Sequence, residues 1–427
     1  MKVNTAQIIH TGNSGVDKSH IRVLLLSSGQ PTTNPRLVKE ADALIANGYQ
    51  VKVYYSYWAH WAVEKDVELV KGYPDNVFEM VGGSPERKAL TYFFSRIIHY
   101  FGKKINRDYW KIRAVSRATH HLVRAAKNYK ADIYIAHNLG ALPAAVMAAK
   151  KFEAVCGFDA EDYHSGEFAK PYDSAYKVVR WVEENFLPRC NYLTASSPLI
   201  ALAYQKLLSV NLPVVLNVFS KKYLSTQLKK QSGSLSVFWF SQTIGPNRGL
   251  EFFIDALNDL KEKNISLYLM GDCNAGYRQE LINRINKKEA LHILEPAGPS
   301  DIFKIASQYD IGLASEIPYS ENRDYCLTNK IFTYLLAGNF ILASDTTAQK
   351  AFIYENKQIG ELYAHDNLKS LTTILNRLYT DENYMMNCRL KALELASKEM
   401  NWENQSELFL NAVNESMRSK PFINRQF

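Results

Sequence analysis

Two cations stand where helices should begin, each just after a strand-like run. In LTNKIFTYLLAG, from Leu327 to Gly338, a polar Thr-Asn-Lys step opens an apolar stretch that a glycine closes. Thr328 or Asn329 can cap that helix, whose first N–H groups have no internal partner and carry partial positive charge. Lys330 adds a full charge beside them, and a helix start of this kind binds phosphate readily. In FSQTIGPNRGLEFF the run ends in a Gly-Pro turn, and Arg248-Gly249 opens the next helix. A guanidinium fork matches phosphate oxygens, and a glycine lets the backbone approach closely. Two such starts can converge on one diphosphate. For Lys330 alone, a capped core helix with a solvated lysine is the competing reading.

Other strand ends carry groups suited to a hydroxyl-rich ligand. SSGQPTTNPR follows the first strand and offers Asn34 and Arg36; its glycine spacing is not that of a dinucleotide fingerprint. His137 and Asn138 follow IYIA, and DAEDYHSGE brings Asp159, Glu161, Asp162, His164 and Glu167. Acids and a histidine in such places hydrogen-bond sugar hydroxyls or move protons. The blander alternatives are a histidine satisfied by backbone and solvated acids at a helix start. DAED has the wrong spacing for an Asp-x-Asp metal clamp, and no other cluster has convincing metal-ligand spacing.

The elements that must position these groups alternate. Strand-like runs occur at 21–28, 131–137, 154–160, 191–197, 237–242, 265–272, 291–297, 311–315 and 340–344, and in YQVKVYYS; NLPVVLN is strand-like too. Most are continuous apolar runs followed by helical periodicity, the pattern of parallel strands covered on both faces. The 427 residues suit two domains. The spacing predicts a polar leader over 1–20, one doubly wound α/β domain over 21–217 and a second over 218–399. A last helix over 400–427 is expected to cross back to the first domain, with Trp402, Leu408, Phe409, Leu410 and Val413 as its apolar set. In such sheets ligands sit outside the carboxyl ends of the strands.

Composition narrows the setting. The five cysteines are scattered, with no CxxC pair, which suits a reducing compartment rather than a zinc site. The start of the chain lacks the apolar core of a secretory signal, and a cytoplasmic location is expected. The formal charge of +8 is concentrated: residues 87–130 hold twelve Lys/Arg against one acid, Asp108, with aromatics interleaved. A helix pair there could rest on an anionic membrane surface or simply be solvated. Nucleic acid is not expected, since no binding motif accompanies the charge.

These motifs resemble those of GT-B glycosyltransferases of the large retaining family-four type, over roughly residues 21–418. NKIFTYLLAG…ILASD resembles the segment NKxFEYxAxGxPVIASD that contacts the donor nucleotide and its phosphates. GPNRGLE resembles xxEKGLE, with Arg248 where a lysine usually stands. ADIYIAHN resembles DVVHAHD, FDAEDYH resembles YDAHE on the acceptor side, and NWENQSELFLNAV resembles the last helix. There are departures. The family's Glu-x7-Glu pair falls on Tyr325 and Thr333, leaving Glu316 or Glu321 as substitutes. Its GRL arginine is replaced near Gln242 or Thr243. Glu161 stands where the family has histidine, with His164 three residues on.

The resemblance implies two Rossmann-like domains facing across a cleft and transfer of a sugar from a nucleotide-diphosphate donor to a glycan or lipid-linked acceptor. Cell-surface polysaccharide synthesis is the setting it suggests. Donor binding is assigned to Arg248, Gly249, Glu316, Arg323, Thr328, Asn329 and Lys330. Acceptor binding falls to Asn34, Arg36, His137, Asn138 and Asp159, and catalysis to Glu161, Asp162 and His164. No cofactor or metal is expected. A peripheral position on the inner membrane face, through 87–130, matches where relatives touch membranes. The alternatives are a non-catalytic GT-B subunit that binds sugar or serves as a scaffold, and a GT-B sugar-nucleotide epimerase.

Overall fold

The computed structural model describes residues 17–105, 107–168, 174–228 and 233–418. Most of the expected leader, and part of the polar stretch near the expected domain boundary, lie outside these residues. The chain divides into two compact units. The first takes residues up to 196, 201–215 and those from 406 onward; the second takes 197–200 and 216–405.

The first unit is built on six strands: β1 (Arg22–Ser27), β2 (Gln50–Tyr55), β3 (Phe78–Met80), β4 (Ile133–His137), β5 (Val155–Ala160) and β6 (Tyr192–Ala195). They lie in the order 3-2-1-4-5-6, with parallel pairing throughout. The second unit has β7 (Leu235–Ile244), β8 (Ile265–Cys273), β9 (Leu291–Leu294), β10 (Ile311–Ala314), β11 (Phe340–Ser344) and β12 (Gly360–Tyr363). Counted from β7, their order is again 3-2-1-4-5-6, and all are parallel. Both sheets are therefore doubly wound, and each has a switch point where the order reverses: β1 beside β4, and β7 beside β10. Every residue of β4, β5, β10 and β11 is buried, in keeping with their largely apolar sequences.

Local sequence explains the helices that carry the sites. Asn34 caps Pro35–Ala46 by accepting from the Leu37 N–H at 3.0 Å, and Pro35 supplies a φ already suited to a first turn. Asn329–Ala337 ends at Gly338, whose φ of 68° is the left-handed closure that glycine adopts without strain. That helix lies close on β10: a Cβ on Gly312 would sit 2.1 Å from the Tyr334 ring, so only glycine fits there.

Several expectations need correction. The basic segment forms three helices, Ala89–Lys104, Asp108–Val115 and Thr119–Ala126, rather than a pair. NLPVVLN contributes only an isolated bridge, Val214 to Ala195. Edge strands β3 and β12 have no counterpart among the expected runs. The last helix, Trp402–Arg418, begins in the second unit, where the Trp402 N–H donates to Phe219 O at 2.9 Å. From Ser406 it belongs to the first unit, where Tyr49 donates to Asn414 Oδ1 at 2.8 Å. Phe409, Leu410 and Val413 are buried, but Leu408 is exposed. Among the described residues no helix is long and apolar enough to cross a membrane.

Candidate functional site

At the switch point of the second sheet, three cations surround one carboxylate. Glu316 follows β10 and is 3 % exposed. Its backbone is pinned by Ser344 of β11, whose Oγ accepts from the Glu316 N–H at 2.9 Å and donates to its carbonyl at 2.7 Å. Lys330 Nζ donates to Glu316 Oε1 at 2.7 Å, while Arg323 and Arg248 lie 3.6 and 3.8 Å from Oε2. Burial disfavours the carboxylate, yet Lys330, Arg323 and Arg248 together hold Glu316 below its ordinary pKa. The Lys330 ammonium also lies 5.2 Å from the centre of the buried Trp239 ring. It is thus no solvated lysine: its stem and head are enclosed, and its charge is fixed in place.

The neighbouring residues assigned to donor binding by the resemblance sort clearly. Gly249 is the N-cap of Leu250–Asp259 at φ 72°, and a Cβ there would come 2.2 Å from Ser315 Oγ. Only glycine allows that helix start to lie against the end of β10. Thr328 occupies the cap position of Asn329–Ala337 but makes no side-chain capping bond, contrary to expectation. Asn329 is exposed at the helix start. Glu321 is exposed and forms no part of the cation cluster, so of the two acids considered as substitutes it is Glu316 that the fold surrounds with positive charge. Tyr325 and Thr333 occupy the positions of the absent Glu pair, and Thr333 spends its hydroxyl on Asn329 O at 3.1 Å.

The first sheet holds a denser and more deeply buried cluster at the ends of β4 and β5. Arg36, wholly buried, binds Asp159 with two nitrogens, Nη2 donating to Oδ1 at 2.7 Å and Nε to Oδ2. Its third nitrogen donates to Val215 O, and Nε lies 3.3 Å from Glu40 Oε1. Thr194 donates to Asp159 Oδ1 at 2.7 Å. His137 stands among the same acids: Nε2 is 3.2 Å from Glu40 Oε2, and Nδ1 is 3.2 Å from Glu161 Oε1 and 3.6 Å from Asp159 Oδ2. Burial alone would depress its pKa, but Glu40, Glu161 and Asp159 outweigh it and raise His137 to about 10. Both ring nitrogens facing carboxylates fits an imidazolium. Burial, then the Asp159 charge, raises the Glu40 pKa in turn.

Of the acceptor-side residues, the structure brings Asn34, Arg36, His137 and Asp159 together with Glu161. Asn34 Nδ2 donates to Glu161 Oε1 at 2.6 Å. Asn138 is turned elsewhere, accepting from the Ser28 N–H at 2.9 Å and from its hydroxyl at 2.7 Å, which ties β1 to β4. Asp159 is buried in an ion pair rather than solvated at a helix start. Glu161, Asp162 and His164 keep partial exposure. His164 lies 3.4 Å from Glu167; burial opposes its charge, but Glu167, Asp162 and Glu183 raise its pKa.

Sequence reasoning missed Glu40 and Lys39. Glu40 sits one helical turn after Arg36, and that i,i+4 spacing was the available signal. Burial and the Arg36 charge push the Lys39 ammonium down to about 7. Glu40, His137 and Asp159 each place one ligand-type atom within 4.8 Å of the others. The Arg36 guanidinium already sits among these carboxylates and supplies the compensating charge, which leaves the trio poorly suited to a second cation.

No family profile and no curated protein matches the sequence. The structure, however, is similar to Anabaena HepE, solved with UDP and glucose, at 16 % identity and a TM-score of 0.67, over 93 % of this chain and 100 % of that one. It is likewise similar to a glycosyltransferase from Rickettsia africae, at 12 % identity and a TM-score of 0.68, over 94 % and 100 % of the two chains. The chain has the GT-B fold. WaaG, a glycosyltransferase involved in lipopolysaccharide biosynthesis, shares it at 13 % identity and a TM-score of 0.62, over 91 % and 98 % of the chains. At such identities the likeness is one of fold; the paired doubly wound sheets are what GT-B architecture consists of.

Proposed function

We propose that this chain is a glycosyltransferase that moves a sugar from a nucleotide-diphosphate donor to a saccharide or lipid-linked acceptor. The observation that carries the reading is the set of three cations, Lys330, Arg323 and Arg248, gathered on Glu316 at the second sheet's switch point. Ligands bind at such points in doubly wound sheets. Preorganised cations there stabilise the charge that develops as a nucleoside diphosphate departs, without a metal. Glu316 holds them in position before the donor arrives. The second unit thus takes the donor, and the first presents the acceptor through Asn34 and Glu161, with Asp162 and His164 at hand for proton movement.

Retention of configuration, a role in cell-surface polysaccharide synthesis and a place on the inner membrane face belong to the same reading. The motif resemblance supports all three, and the involvement of WaaG in lipopolysaccharide biosynthesis supports the second. A panel of nucleotide sugars, each with and without acceptor glycans, tests it: sugar transfer to an acceptor is the expected result. Tyr325 and Thr333, in place of the Glu pair, favour a second reading in which the chain binds donor without transferring. Donor binding without turnover in every arm of the panel would select that reading.

Lys330→Ala is expected to weaken UDP or GDP binding by about 1.5–3 kcal/mol, the worth of a hydrogen bond to a charged group. Uridine or guanosine binding should change little. The fold should tolerate the change, because Glu316 keeps Arg323 and Arg248. Calorimetry with diphosphate and nucleoside decides: equal losses for both would remove Lys330 from the phosphate site.

For membrane attachment, the helix Ala89–Lys104 exposes Leu90, Phe93, Phe94, Tyr100 and Phe101 among its basic residues. Sedimentation with anionic vesicles should show binding that falls steeply between 0.1 and 1 M salt, as the Debye length shrinks from about 10 to about 3 Å. Phe93→Ser with Phe94→Ser should weaken attachment and leave donor binding intact. Equal, weak binding to neutral and anionic vesicles would exclude the attachment.

A further inference from the structure

The basic segment does more than spread charge over a surface. Tyr92, Arg96, His99, Tyr100, Lys103 and Arg117 line an open cleft of about 300 Å³ on the surface of the first unit, with Arg96, Tyr100 and Lys103 exposed. No acid lines it. Asp108, the segment's one acid, pairs with Lys111 at 3.1 Å, and Glu86 lies 3.1 Å from His60. Arg96, Lys103 and Arg117 are left without a carboxylate partner among the described residues.

The cleft is also built, not merely lined. Arg117 is clamped by three acceptors: Nη1 donates to Gly82 O and Ser95 Oγ, and Nη2 to Tyr57 O, each at 2.9 Å. Three of the five N–H donors of a guanidinium are thereby used, and the rest are unspent among the described residues. Its plane lies 4.6 Å from the Tyr92 ring centre, and Arg96 approaches the same ring at 5.9 Å. Like charges are thus held together with nothing of opposite sign between them. His99 Nδ1 lies 2.9 Å from Arg113 O and donates to it, which leaves Nε2 as the atom that can take a proton. Burial first, then Lys103 and Arg117, hold the His99 pKa below its ordinary value. Arg113 stands on the helix packed opposite, and Tyr92 and Tyr100 line the same cleft.

We propose that this cleft binds the phosphate group of a phosphorylated ligand, whether borne on a lipid or free. A monoester or diphosphate supplies several acceptor oxygens to a fixed guanidinium and two exposed cations, Arg96 and Lys103, the arrangement that favours phosphate over a single carboxylate. The exposed aromatics of the same helix suit an attached chain. Its lining residues belong to the first unit, whereas the Lys330 cluster belongs to the second.

Imidazole NMR of the full chain tests it, with His99 assigned through His99→Gln. Inorganic pyrophosphate should move the His99 titration upward, because a bound anion favours the imidazolium. Arg96→Gln with Lys103→Gln should itself raise the resting His99 pKa. It should also weaken pyrophosphate about tenfold or more per lost cation, while UDP binding is kept. Lys330→Ala should retain the full His99 response, which separates this site from the donor reading. Vesicles of phosphatidic acid and of phosphatidylserine, matched for charge, distinguish the sources. Preference for the monoester lipid supports a lipid phosphate, and a pyrophosphate response with no lipid preference supports a free ligand. A His99 titration unmoved by pyrophosphate, with attachment that follows total charge alone, would overturn the proposal.

Discussion

Replacing Arg36 by methionine is expected to cost the first unit about 3–5 kcal/mol of stability, seen as a lower urea midpoint at an unchanged denaturant slope. Methionine fills much of the volume, so the loss is electrostatic rather than a cavity effect. Arg36 spends all three nitrogens on Asp159 and Val215 O and lies 3.3 Å from Glu40. Its removal leaves Asp159 and Glu40 buried beside Glu161, with His137 still facing all three acids. Removing one partner of a buried ion pair costs far more than the pair was worth, because the other charge is stranded. Asp159→Asn should cost less, since Arg36 keeps Glu40 and the carbonyl. A loss below about 1 kcal/mol for Arg36→Met would mean that the acids are already protonated in the folded chain.

That cluster marks the limit of what the sequence discloses. Strands β4, β5, β10 and β11 were legible because a strand covered on both faces reads as a near-continuous apolar run. Strands β3 and β12 were not, being short, half-covered edges (FEM and GELY) that carry no such run. The helix starts at Asn329 and Leu250 were legible because polar steps and glycines act within a few residues. Glu40 was not. Its partner His137 is nearly a hundred residues away, and only the pairing of β1 with β4 brings the two together.

The switch point of the second sheet shows the same divide. Lys330 and Arg248 could be picked out by local context, but their convergence on Glu316 depends on β7 lying next to β10. The expectation of a solvated or phosphate-facing Lys330 omitted the Trp239 ring for the same reason, since Trp239 lies in β7. Charge in residues 87–130 could be counted directly. The cleft could not, because Arg117 is aimed by carbonyls 35 and 60 residues away, at Gly82 and Tyr57.

His137 should stay protonated well above neutrality, and the stability it contributes should disappear as the solution becomes alkaline. Its folded pKa is raised to about 10, against an ordinary value near 6.5. A raised pKa means that the folded chain holds its proton more tightly than the unfolded chain. The contribution is complete below about pH 6.5 and is lost as pH climbs through the folded value. Each pH unit between the two values is worth about 1.36 kcal/mol, so the whole contribution is on the order of 5 kcal/mol. Glu40, whose pKa is also raised, acts in the same direction at lower pH. Lys39 acts against both. Its folded pKa of about 7 lies below the ordinary lysine value, so its effect on stability improves as pH rises from about 7. The two opposed slopes overlap between pH 7 and 10, and a urea midpoint measured on the native sequence would hide them. Comparison with His137→Gln removes the Lys39 slope, which both proteins share. The native chain should be the more stable at pH 7, and its advantage should shrink by several kcal/mol by about pH 10. Imidazole NMR gives a direct check, since the His137 signal should keep the charged-form chemical shift past pH 8. A His137 resonance that titrates between pH 6 and 7, or a stability difference that does not change with pH, would show that the acids around it carry the protons instead.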